Sequence, residues 1–132
     1  MSVLEVEGGR RLTGEIDIQG AKNSSLPILA ATLLSGEKQI IHNCPQLSDV
    51  DAAVKILEYL GCTVKREEHT LEIDPGSVSR WDIPEDLMRE MRSSIVFLGA
   101  ILARMGKALL SMPGGCELGP RPIDLHLDAL RK

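Results

Sequence analysis

Apolar and polar positions change period several times along this chain, and each change predicts an element. Leu4 and Val6, then Ile16 and Ile18, alternate with polar neighbours around a glycine-rich turn, which predicts short strands over 4–6 and 15–18. From about 23 to 34 the apolar spacing becomes helical, with Pro27 read as lying in the first turn. Residues 39–42 read as a strand. Ser48-Asp49 reads as the cap of a helix running to Leu60, where Gly61 supplies the stop. Strands over 63–66 and 70–73 follow, joined by a turn near Glu68-His69. Beyond Pro75-Gly76, one helix is predicted over roughly 85–105.

The pattern then starts again. Asn23-Ser24-Ser25-Leu26 ahead of an apolar helix matches Arg92-Ser93-Ser94-Ile95 ahead of another. Lys38 to Cys44 before Pro45 matches Lys107 to Met112 before Pro113, and Asp51 to Leu57 matches Asp124 to Leu130. A roughly constant offset predicts an internally repeated helix–strand–helix unit, an α/β (α+β) architecture. The copies differ after the strand. Copy one reaches its second helix through Gln46-Leu47-Ser48, whereas copy two inserts a longer loop that contains Cys116. Insertions into a repeated scaffold tend to mark function. Copy two also stops within its second helix, at Arg131-Lys132, so the chain reads as a fragment.

That loop, Pro113-Gly114-Gly115-Cys116-Glu117-Leu118-Gly119-Pro120-Arg121-Pro122-Ile123-Asp124, concentrates the candidate chemistry. Its glycines let a ligand approach the backbone and leave the thiol reachable. Arg121 can hold an anion or lower a thiol's pKa. Pro122 and Asp124 read as a helix start, which also favours anions. Thiol, cation and helix start together point to a phosphorylated or carboxylated substrate.

Composition narrows the alternatives. The 132 residues carry a net charge of −4, with three aromatics, Tyr59, Trp81 and Phe97. An acidic chain without stacking platforms argues against a nucleic-acid partner. Cys44, Cys62 and Cys116 form no CxxC pair, which argues against a zinc knuckle or a disulfide framework and favours a reducing compartment. No signal-peptide pattern is visible, and apolar runs such as 26–34 are too short to span a bilayer. The expectation is a cytoplasmic chain with no membrane association. Cys44 and Cys62 read as packing residues, and His42 and His69 as structural or solvated.

Gly20-Ala21-Lys22-Asn23, the Met91-Arg92-Ser93-Ser94 turn and residues 113–126, in this order, resemble the UDP-N-acetylglucosamine enolpyruvyl transferases over essentially the whole chain. The related synthases acting on shikimate 3-phosphate lack the thiol loop and prefer Asp-Lys-Ser where this chain has Ala21-Lys22-Asn23. The resemblance implies an inside-out α/β barrel built from repeated helix–sheet units, here truncated. Residues 1–19 would be strands belonging with an absent second domain, 20–88 the first repeat, and 89–132 an incomplete second repeat carrying the Cys loop. The implied reaction moves the enolpyruvyl group of phosphoenolpyruvate to the 3′-hydroxyl of UDP-N-acetylglucosamine, releases phosphate and commits material to peptidoglycan.

Under that resemblance Lys22 and Arg121 bind phosphoenolpyruvate, and Asn23 lies against the nucleotide sugar. Arg92 and the Arg121-Pro122-Ile123-Asp124-Leu125 segment hold UDP-N-acetylglucosamine. Cys116 is the general acid serving C3 and the residue alkylated by fosfomycin, where some relatives carry Asp and resist the drug. The scheme requires no metal and no organic cofactor. Lys22 at a helix start opposes the helix dipole, so another function must compensate. The alternative is a catalytically incomplete fragment or nucleotide-sugar-binding module, because the family site lies between two domains. Unpaired strand edges would then favour self-association.

Overall fold

A computed structural model describes residues 3–91, 93–111 and 122–132. The apolar stripe Leu26, Leu29, Ala30 turns the first helix, α1 (Lys22–Ala31), onto the core, and a 3₁₀ turn over Thr32–Leu34 completes it. Pro27 lies in the second turn of α1, not the first as expected, and so offers no N–H to the carbonyl of Asn23. Strand β1 (Gln39–Ile41) leads to α2 (Ser48–Leu60), which buries Val50, Ala53, Ile56, Leu57 and Leu60 at helical spacing. The N-cap position falls on Leu47 without a side-chain cap, so Ser48-Asp49 lies inside the helix and is not its cap. The predicted stop holds: Gly61 takes a φ of 111°, and the Cys62 N–H closes on the Leu57 carbonyl at 2.9 Å.

Strands β2 (Thr63–Glu67) and β3 (Thr70–Asp74) form the expected hairpin, and β1 pairs antiparallel with the other side of β3. The sheet order is β1-β3-β2. Leu71 and Ile73 of β3 face the core and are fully buried, while Glu72 faces outward to Lys38 and Lys65. A second, two-stranded parallel sheet pairs β4 (Asp82–Ile83) with β5 (Leu109–Leu110). β4 was not expected, because two residues carry no readable alternation.

The single helix expected over 85–105 is two: α3 (Glu85–Glu90) and α4 (Val96–Met105). Met91 is fully buried in an extended conformation and ends the first, and the Ser94 hydroxyl donates to the Met88 carbonyl at 3.2 Å. A buried hydroxyl thus satisfies a carbonyl at the end of α3. The last helix is α5 (Asp124–Leu130). Element order α1, β1, α2 therefore recurs as α4, β5, α5, and α1 packs on both α2 and α4.

Residues 4–6 and 15–18, expected as strands, form none. Val3, Leu4, Val6, Leu12, Ile16 and Ile18 are 78–93 % exposed. Alternation marks a sequence able to pair, but a strand also needs a ladder partner, and the described residues supply none.

Candidate functional site

The ground for the site is laid where the chain enters α1. Gly20 passes so close to residues 43–45 that a Cβ there would sit 2.0 Å from the Asn43 carbonyl oxygen. Beside it, the Gln46 N–H donates to the Gln19 side-chain oxygen at 3.0 Å. Ala21 then occupies the N-cap without a capping side chain, so the first N–H groups of α1 keep no side-chain acceptor. The Ser25 hydroxyl donates to the Ala21 carbonyl at 2.9 Å and holds the opening turn closed.

Lys22 is the first residue of α1, and its Nζ lies 2.6 Å from Oδ2 of Asp49 in the first turn of α2. Asn23 follows, exposed. Pro122 and Ile123 precede α5, while Asp124 and the 85 % exposed Leu125 form its first turn. Arg92, Cys116 and Arg121 lie outside the described residues. No hydrogen bond or ion pair among the described residues joins Lys22 or Asn23 to residues 122–125. Sequence reasoning missed Asp49, whose place in a first turn read as helix capping.

Two hollows among the described residues have linings that do not suit a phosphorylated ligand. One of about 350 Å³ on the outer sheet face is lined by Ile40, Lys65, Thr70 and Glu72, and its lysine faces that glutamate. Another of about 500 Å³ between α4 and α5, lined by Val96, Leu125, Ala129 and Leu130, is chiefly apolar. Lys22 lines neither.

Cys44 and Cys62 are buried, 1 % and 6 % exposed. Burial pushes the Cys44 thiol up, against the pull of Arg66, and pushes Cys62 up to about 11. At pH 8 the Cys62 thiol is then protonated. Iodoacetamide at pH 8 should therefore leave Cys44 and Cys62 unmodified in the folded chain, as read by peptide mass spectrometry. Above about pH 9 the same raised pKa costs stability. The unfolded thiol ionises first, so stability present below its pKa is lost as pH rises towards about 11. Fast labelling of Cys44 or Cys62 at pH 8 would contradict the burial.

His42 Nδ1 lies 3.3 Å from the Thr70 hydroxyl, and His69 Nδ1 lies 3.3 Å from the Cys44 carbonyl, both in structural contacts. No helix among the described residues is long and apolar enough to cross a membrane.

Comparison with known proteins adds to this geometry. The sequence model of the family described as EPSP synthase (3-phosphoshikimate 1-carboxyvinyltransferase) matches residues 6–132. UDP-N-acetylglucosamine 1-carboxyvinyltransferase 2 of Caldanaerobacter subterraneus subsp. tengcongensis is 52 % identical over 132 residues, covering 100 % of this chain and 32 % of the relative. The UDP-N-acetylglucosamine 1-carboxyvinyltransferase of Lawsonia intracellularis is 47 % identical, again over 100 % of this chain and 32 % of the relative. The chain thus spans about a third of the length of these relatives. Among solved structures, the enolpyruvyl transferase NikO from Streptomyces tendae superposes with a TM-score of 0.79 at 26 % identity, covering 94 % of this chain and 27 % of that one.

Proposed function

From a chain that belongs to the EPSP synthase (3-phosphoshikimate 1-carboxyvinyltransferase) family over residues 6–132, we propose a part in transferring the enolpyruvyl group of phosphoenolpyruvate to the 3′-hydroxyl of UDP-N-acetylglucosamine. The observation that carries this reading is 52 % identity, across the whole chain, to a relative named for action on UDP-N-acetylglucosamine. The fold is that of an enolpyruvyl transferase, an α/β arrangement of repeated helix–sheet units. We divide it into a first repeat over 20–88 and a second over 89–132, with 1–19 belonging to a neighbouring domain.

In the proposed reaction Cys116 gives a proton to C3 of phosphoenolpyruvate as positive charge builds at C2. The sugar hydroxyl oxygen bonds to C2 while its O–H bond breaks and that proton passes to solvent. This gives a tetrahedral ketal and leaves Cys116 as thiolate to take the C3 proton back. Loss of a proton from C3 and of phosphate from C2 then restores the enol ether. Lys22 and Arg121 hold the phosphate and carboxylate through these steps, where fixed charge in a water-poor site counts for several kcal/mol. Asn23, Arg92 and residues 122–125 hold the nucleotide sugar. The work belongs to the first committed step of peptidoglycan synthesis, in the cytoplasm.

The test is phosphate release from phosphoenolpyruvate by the full polypeptide in which this sequence is encoded. Release should require UDP-N-acetylglucosamine and should not occur with shikimate 3-phosphate; the reverse preference would overturn the reading. A second reading, a substrate-binding unit without turnover of its own, is favoured by the chain's 32 % share of its relatives' length. The isolated 132 residues are then expected to self-associate and to release no phosphate.

A further inference from the structure

We infer that Asp49 is a positioning residue for Lys22: its carboxylate holds the Lys22 ammonium at the opening turn of α1, aimed for an anionic phosphoenol acid before that ligand arrives. The inference rests on the reading of Lys22 as an anion-binding group. Three observations carry it.

The contact is close and sheltered. Nζ and Oδ2 are 2.6 Å apart, and the Asp49 side chain is 22 % exposed, less than any other acid ion-paired among the described residues. The Lys22 side chain is 46 % exposed, so the pairing with Asp49 leaves it accessible to a ligand. An ammonium has three donors, and one bond to Asp49 leaves two for a ligand.

The pair also resolves a conflict of charge. An ammonium in the first turn of α1 opposes the helix dipole, whereas a carboxylate in the first turn of α2 is favoured by it. Joining them lets the lysine stay where the dipole alone would disfavour it. Surface ion pairs usually contribute little to stability, so placement is the more economical reason for this one.

The two acids of that α2 turn are divided between two tasks. Asp51 receives Arg66 at 2.5 Å, and Arg66 also donates to the Pro45 carbonyl at 3.0 Å, fastening α2 to its sheet. The link from this turn to the sheet therefore runs through Asp51, while Asp49 is joined to Lys22. Copy two has Pro122 two residues before Asp124, where copy one has Asp49 two residues before Asp51, so the repeat alone does not demand the acid.

The test compares Asp49→Ala and Asp49→Asn in the full polypeptide. Asp49→Ala should raise KM for phosphoenolpyruvate about tenfold while leaving KM for UDP-N-acetylglucosamine and the melting temperature unchanged. Asp49→Asn keeps an acceptor oxygen for Nζ and should recover most of that loss. An unchanged KM, a fall in KM, equal defects in Ala and Asn, or a rise for both substrates with a lower melting temperature would each overturn the inference. Titration calorimetry with phosphoenolpyruvate separates it from the reading beneath. If Lys22→Ala binds as the parent does, the reading of Lys22 fails and the inference with it. If Lys22→Ala loses binding and Asp49→Ala keeps it, the inference alone fails.

Discussion

Replacing Cys116 by alanine should lower enolpyruvyl transfer by about 10²- to 10⁴-fold, the usual contribution of a positioned general acid. C3 of an enol ether is a weak base, and water donates to it slowly at neutral pH, so the reaction needs a donor held close. A thiol near ~8.5 in its ordinary state needs only a modest downward shift to serve. Arg121, five residues on, is the charge available to supply that shift. Alanine removes the donor without adding bulk to a glycine-flanked loop. Cys116→Asp separates donor from nucleophile, because a carboxyl can give a proton but does not open an epoxide as a thiolate does. That variant should retain measurable phosphate release while losing alkylation by fosfomycin, read as the missing adduct in a peptide mass spectrum. Full activity in Cys116→Ala would remove the thiol from the chemistry.

Much of the fold could be read in the chain because its local signals agree with its packing. α2 has an apolar stripe, a glycine stop and a hairpin after it, and all three appear at the predicted residues. The helix over 85–105 misled because Met91-Arg92-Ser93-Ser94 holds no glycine or proline to mark a break. What breaks it is tertiary: Met91 is drawn into the core, and Ser94 is buried with its hydroxyl on a carbonyl. The alternation at 15–18 reads as a strand but forms none, because pairing depends on a second strand that no local pattern supplies.

The site divides along the same line. The position of Lys22 and Asn23 at a helix start was legible because a glycine turn precedes them, and α1 does begin at Lys22. Asp49 was not, since an acid in a first turn looks alike whether it serves the dipole or grips a residue 27 positions earlier. Only the packing of α1 on α2 distinguishes the two.

That dependence on packing makes Gly20→Ala the sharpest test of how the site is built. The added Cβ would meet the Asn43 carbonyl oxygen at 2.0 Å, its carbon at 3.2 Å and Pro45 Cδ at 3.4 Å. Backbone is poor at yielding, and this stretch is pinned. Asn43 already holds a φ of 55°, and the next N–H, that of Cys44, donates to the His69 carbonyl at 2.7 Å. The segment around Gly20 must therefore be the part that moves, by on the order of an ångström, since ordinary contacts begin beyond 3 Å. Such a shift strains the Gln19–Gln46 bond and carries Lys22 away from Asp49. A displacement of about 1 Å at a positioning group can cost about 10²-fold in rate. Stability should change little by comparison, because residues 3–20 contribute nothing to the buried apolar core. The expected result in the full polypeptide is a roughly hundredfold fall in phosphate release with a melting temperature within a few degrees of the parent. Unimpaired release would mean that the close passage of Gly20 over Asn43 does not set the position of Lys22. A large loss of melting temperature would mean that this passage belongs to the fold's stability instead.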